Sequence, residues 1–279
     1  MPPRKRSARM SAASTPDHPK RQRNEVEHSG GGGRTGSFSA LVDPTVPPHT
    51  LLLGTQPSVK SIDNGWYFGS DTNSFWPIAG EALGFRRGFH AKERADGDVV
   101  PSIAKSLTPG LTVVQYDQAT RLLTAAGYAL WDILESSERQ GSLDSSIKKP
   151  RPAPIEDFVT HHPSIEQIVF VTGKGSADLF RKHFGGWLAS GKFRLHDSAV
   201  EVFGKAIAAS PSSEERHGGP SSPIQLVIPP SVSPAHATMH FELKRDAWLE
   251  QVYWREQQKK TAGAKEMGKS NQGKRAVKL

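Results

Sequence analysis

A few short stretches of this 279-residue chain carry side chains that could act together on a flat polar ring. The first is Gly54-Thr55-Gln56-Pro57, which ends an apolar run. Gly65-Trp66-Tyr67-Phe68 and Asn73-Ser74-Phe75-Trp76-Pro77 follow closely, and Asp132 and the Pro229–His236 segment come much later. A glycine lets a ligand approach the backbone, and a proline sets the turn. The amides after Gly54, with Thr55, Gln56 and Pro57, would hold a ring by its edge. Tyr67 or Phe75 would stack on its face. Asn73 offers one acceptor and two donors without a charge. This set suits a nucleobase. In Pro229-Pro230-Ser231-Val232-Ser233-Pro234-Ala235-His236, prolines impose a rigid loop, and Ser231, Ser233 and His236 are candidate phosphate contacts.

These residues need a frame. Leu51–Gly54, 129–134, 168–171 and 225–228 read as strands, each a short apolar run ended by turn residues. Residues 116–126, 154–162, 176–184 and 239–257 read as helices. Strands alternating with helices predict a parallel sheet covered on both faces, with ligands beyond the carboxyl ends of its strands. The candidate residues stand at those ends. Asp132 is the one carboxylate that follows a strand beside an aromatic residue, where it could orient a water.

Composition narrows the chemistry. There are no cysteines, so disulfides, thiolate nucleophiles and zinc fingers drop out. No apolar run approaches the roughly 18 residues of a membrane-crossing helix, and no secretory signal is expected after MPPRKRSARM. The net charge of +8 lies at the ends: residues 1–36 carry a net of +5 and 255–279 a net of +6, while 37–254 hold 20 basic against 23 acidic residues. The segments 1–36 and 259–279 read as disordered basic tails flanking one domain, 37–258. The clusters Arg4-Lys5-Arg6 and Lys20-Arg21-Gln22-Arg23 have the spacing of a nuclear-import signal, so a nuclear location is expected. Residues 91–110 and 210–223 read as surface loops. Thr172-Gly173-Lys174-Gly175-Ser176 lacks the upstream glycine of a phosphate loop, and the pair His236 and His240 has no third metal ligand. No metal or other cofactor is expected.

Residues 51–84, LLLGTQPSVKSIDNGWYFGSDTNSFWPIAGEALG, resemble the first motif block of the uracil-DNA glycosylase superfamily. The resemblance is closest to its hypoxanthine (deoxyinosine) DNA glycosylase branch, with that branch's Asn-x-Phe-Trp-Pro. Tyr128–Leu134 with Gly141–Ser145, and IPPSVSPAHA at 228–237, resemble its middle and last motifs. The resemblance implies a three-layer α/β/α sandwich around a four-stranded, mainly parallel sheet. It also implies hydrolysis of the N-glycosidic bond of a deaminated base, hypoxanthine or uracil, flipped out of double- or single-stranded DNA by a monomer. Other branches place an Asp or Asn where Gln56 stands and a His where Pro229 stands. The hypoxanthine branch relies on the asparagine that matches Asn73. At the position of His236 an Asn is usual.

Departure of a purine leaves an oxocarbenium-like sugar and a base gaining negative charge, which calls for neutral donors on the base and a positioned water. Asn73 is assigned to one of these two tasks and Asp132 to water. Met239 is a candidate wedge for the gap left by the base. No lysine stands in a Schiff-base motif, so a monofunctional enzyme is expected. The alternative is a catalytically weak or inactive module of the same fold that binds damaged nucleic acid.

Overall fold

The computed structural model describes residues 34–90, 98–208, 223–236 and 238–262. The chain runs β1 (Arg34–Gly36), β2 (Thr50–Gly54), α1 (Val59–Asn64), α2 (Phe75–Leu83), β3 (Phe85–Arg87), α3 (Pro101–Ala104), β4 (Thr112–Val114), α4 (Tyr116–Ala125) and β5 (Tyr128–Asp132). It continues through β6 (Leu134–Glu138), β7 (Lys148–Pro152), α5 (Ile155–His161), β8 (Gln167–Phe170), α6 (Lys174–His183), α7 (Gly185–Leu188), β9 (Phe193–Leu195), α8 (Val200–Ala208), β10 (Ile224–Val227) and α9 (Phe241–Gln251). A further helix spans 254–262.

Five strands form the central sheet in the order β5-β2-β8-β10-β9, every neighbouring pair parallel. Period-two alternation sends the side chains of β2 to opposite faces. Leu52 packs with α2, α4 and α9 through Ile78, Leu123 and Trp248. Leu51 and Leu53 pack with α5, α6 and α8 through Ile155, Phe180 and Phe203. Helices therefore cover both faces, giving the three layers expected for an α/β sandwich.

The sheet has one strand more than the four expected. The addition, β9, is three residues long at the sheet edge, too short to leave a periodic signature. Its Phe193 is buried and pairs in register with Ile224. A separate antiparallel sheet, β1-β6-β7, and a parallel pair, β3-β4, were also not anticipated. β1 lies inside the segment read as a disordered head. It is ordered because Arg34, Thr35 and Gly36 pair with Glu138, Ser137 and Ser136. The long C-terminal helix is two helices broken at Val252-Tyr253, both buried, and the second covers the start of the segment read as a tail. The basic clusters at 4–6 and 20–23, the glycine run at 30–33 and residues 263–279 lie outside the described residues, as does nearly all of the 210–223 loop. Of the 91–110 segment, residues 98–110 are described. There Asp98 accepts from the backbone N–H groups of Phe89 and His90 and pairs with the buried Arg87. Among the described residues no helix is long and apolar enough to cross a membrane.

Along the sheet β2 is followed in sequence by β5 on one side and by β8 on the other. The chain reverses its winding between β2 and β8, and a crevice opens beyond their carboxyl ends.

Candidate active site

A cleft of about 1050 Å³ occupies that crevice. All four strand-end segments reach it: Thr55–Pro57 after β2, Asp132 ending β5, Thr172–Gly175 after β8, and Ile228–Ser233 after β10. At the reversal point the hydroxyls of Thr55 and Thr172 lie 2.9 Å apart, and Thr55 also donates to Asp144 at 2.9 Å.

Asn73 sits on this wall, 8 % exposed. Its Oδ1 accepts from the backbone N–H of Phe75 at 2.9 Å, an Asx turn that leads the chain into α2 and satisfies the first N–H of that helix. That contact fixes the amide orientation, because a backbone N–H needs an oxygen there. No protein acceptor engages Nδ2 among the described residues. The loop is pinned from outside as well, since Ser74 N–H donates to Val232 O at 3.1 Å and ties the Asn73 turn to the Pro229–His236 segment. Before it, α1 is capped by Ser58 and stopped by Gly65 in the left-handed region (φ 67°).

Asp132 is 2 % exposed. Ser37 Oγ donates to its Oδ2 at 2.6 Å. Burial pushes the carboxyl up to about 7; the Ser37 hydrogen bond and then the Arg139 charge oppose that rise. The Asp132 carboxyl therefore changes charge near neutral pH, where a catalytic base is most useful. Gly54 makes this possible. It pairs with Asp132 in register, and a Cβ on residue 54 would stand 2.4 Å from Asp132 Oδ1. Gly54→Ala is therefore expected to displace the carboxylate and cost about 1–3 kcal/mol. A lowered denaturant midpoint would show this, and an unchanged midpoint would refute it.

The aromatic wall differs from expectation. Phe75 is 1 % exposed, packs edge-on against Trp76 and Trp248, and does not line the cleft. Tyr67 lines it but is tethered: its hydroxyl donates to Phe38 O at 3.0 Å, its N–H donates to the Tyr116 hydroxyl, and burial raises its pKa well above the usual phenol value. Phe68 is the less buried ring on the wall. Its backbone holds the left-handed region at φ 51°, a strained state for a non-glycine residue, and its ring lies 4.5 Å from that of Phe75. The positive φ of Phe68 leaves no mark in the sequence, so the candidate stacking ring was missed there.

Gln56 lines the cleft with its amide already engaged. Nε2 donates to Thr35 O at 2.6 Å and Oε1 accepts from Ser137 Oγ at 2.5 Å, which fastens β2 to the small antiparallel sheet. Arg139, also missed, is buried and donates to the Pro57 carbonyl while pairing with Asp144 at 3.6 Å. Pro57 lines the cleft, whereas Gly54 lies beneath it. Ser231 and Ser233 form a tight turn in which Ser231 Oγ accepts from Ser233 N–H and Ser233 Oγ from Ala235 N–H. His236 is exposed on the rim, and Met239 lines both the cleft and a smaller neighbouring cavity. Leu143, 63 % exposed, also lines the cleft. Gly173 holds φ 76°, and a Cβ there would meet Ser231 Cβ at 3.1 Å, so the turn after β8 and the Ser231 turn pack closely. Among the described residues no group of three metal-binding side chains gathers.

The α/β sandwich thus brings an amide, a carboxyl that titrates near neutrality and an aromatic wall to one cleft at the switch point of its sheet. No family model matches the chain. The chain is similar to a hypoxanthine DNA glycosylase of Methanosarcina acetivorans, 27 % identical over 110 residues, which is 39 % of this chain and 53 % of that protein. The chain thus spans about half the length of the curated relative it matches. A solution structure from the same organism, provisionally described as a uracil DNA glycosylase, aligns at a TM-score of 0.49 and 18 % identity, over 81 % of this chain and 99 % of that one. The resemblance to the uracil-DNA glycosylase superfamily read from the three motif blocks thus coincides with a curated relative from the hypoxanthine branch.

Proposed function

We propose that the chain is a monofunctional DNA glycosylase that hydrolyses the N-glycosidic bond of a deaminated base, hypoxanthine foremost, extruded from DNA into this cleft. One observation carries the reading: Asn73 and Asp132, from sequence segments about sixty residues apart, share one cleft large enough for a nucleotide. The similarity to a hypoxanthine DNA glycosylase supports the same substrate class.

The hydrogen-bond inventory divides the work. Asn73 Oδ1 is occupied by Phe75 N–H, so the amide presents a donor, Nδ2, to an oxygen or nitrogen of the base. A water needs an acceptor, and the Asp132 carboxylate provides one. Phe68 stacks on the base. As the glycosidic C–N bond breaks, its electron pair leaves with the base and Nδ2 stabilises the charge gained there. The Asp132 carboxylate faces the positive charge growing on the sugar. Water oxygen bonds to C1′ and gives its proton to Asp132, leaving free base and an abasic site. No cofactor takes part.

The direct test incubates the purified chain with end-labelled duplexes carrying hypoxanthine, uracil or xanthine, followed by alkali. Alkali-dependent cleavage at hypoxanthine is expected. Intact strands for all three bases would refute the reading, and cleavage without alkali would refute its monofunctional part.

A further inference from the structure

A smaller cavity of about 270 Å³ opens beside the cleft and shares Ser233, Pro234, His236 and Met239 with it. Ser74 before α2, Lys105 after α3, and His240, Glu242 and Lys244 around the start of α9 also line it. Lys244 is its exceptional member. It is only 4 % exposed, yet among the described residues the one hydrogen bond of its ammonium, to His236 O, is 3.5 Å long. It forms no ion pair within 4 Å among the described residues. Its pKa falls through burial alone, with no neighbouring charge contributing. The nearby Glu242 carboxylate accepts from Ser106 Oγ instead. An ammonium has three donors, and burying it without partners is costly. Two of those three donors have no acceptor among the described residues, in a cavity that also takes in the amino end of an 11-residue helix.

We infer that this cavity is a phosphate subsite, in which Lys244 binds the DNA phosphodiester adjoining the extruded nucleotide. The inference rests on the glycosylase reading for laying DNA across the cleft. Because four wall residues are common to both cavities, an anion here adjoins whatever fills the cleft. With a nucleotide in the cleft, the adjoining anion is the phosphodiester that links it to its neighbour. Ser233 lies between the two sites, and Lys105 adds a second positive charge on the outer wall. Sequence alone did not mark Lys244, because a lysine on a polar helix reads as solvated.

The test measures affinity of the full chain for a duplex with a non-hydrolysable deoxyinosine analogue, between about 50 and 200 mM salt. The Lys244→Met variant is expected to bind about tenfold more weakly at the low end and to flatten the slope of log K against log salt by about 0.9, the value of one phosphate contact. Lys105→Ala, at an exposed position, is expected to flatten the slope by less and guards against a folding defect in the first variant. Coincident slopes for the native chain and both variants would overturn the subsite. A melting temperature that inorganic phosphate raises in the native chain and not in Lys244→Met at matched ionic strength, together with coincident slopes, would make the occupant a free anion and overturn the assignment to DNA. Differing slopes without base excision would leave the subsite standing and refute the glycosylase reading. Excision with coincident slopes would do the reverse.

Discussion

Replacing Asn73 by alanine is expected to slow excision of hypoxanthine by about 10²–10³-fold, the usual cost of removing one donor aimed at developing charge. The same substitution removes the oxygen that caps Phe75 N–H, with a stability loss of about 1 kcal/mol. A slow variant could therefore reflect a loosened α2, and Asn73→Asp separates the causes. Its carboxylate keeps an oxygen for Phe75 N–H, so the melting temperature should stay near the native value. It has no N–H to offer and sets a negative charge beside a base that is itself becoming negative, so excision should fall at least as far as in Asn73→Ala. Single-turnover rates with saturating duplex, read beside thermal melts, settle the matter. An aspartate variant as fast as the native chain would mean that Asn73 serves the helix and not the base. An alanine variant within a few-fold of native would remove Asn73 from the chemistry.

The second large effect concerns Asp132 and has opposite signs for activity and stability. With its pKa at about 7 in the fold, the carboxylate fraction rises through neutrality. The rate constant for base release should therefore climb about tenfold between pH 6 and pH 8 and then level off, as expected of a general base. Asp132→Asn should lose this limb together with about 10²-fold or more of the rate. Stability moves the other way. In the unfolded chain the group titrates near the ordinary aspartate value, and in the fold it titrates higher. Between the two values the folded state holds a proton that the unfolded state has lost, so stability falls as pH rises from about 4 to about 7 and is flat above. A gap of about three pH units corresponds to at most about 4 kcal/mol. Asp132→Asn, which keeps an oxygen for Ser37, should accordingly exceed the native chain in stability at pH 8 by about 2–4 kcal/mol, with the advantage vanishing near pH 4. Chemical denaturation of both chains at the two pH values checks this, since groups that titrate alike in both cancel. Equal stability at pH 8 would show that Asp132 is not held near neutrality, and the pH limb would lose its explanation.

Periodicity in the sequence determined the frame of this protein. The four apolar runs that read as strands all enter the central sheet. The helices read over 116–126 and 154–162 are Tyr116–Ala125 and Ile155–His161, within a residue at each end. Burial on two faces and turn residues at the ends are local properties, so the placement of the candidate segments beyond the strand ends followed from sequence too. The same turn residues that ended each run brought Thr55, Asp132, Thr172 and Ser231 to one cleft.

The tertiary structure alone decided which of these side chains face the cleft and in what electrical state. The sequence pointed to Phe75 as a stacking ring and not to Phe68, yet Phe75 is sealed against Trp76 and Trp248 while Phe68, held at a positive φ, lines the cleft. Asp132 becomes a near-neutral titrating group because the groups packed around it strip most of its solvent, while Ser37, 95 positions away, and the Arg139 charge pull against that rise. Lys244 is shielded from solvent only in the fold, where it shares a cavity wall with the Ser233 turn and the end of α3. Strand and helix propensities act over a few residues. Desolvation depends on every group that excludes water around an atom, and those groups come from all along the chain.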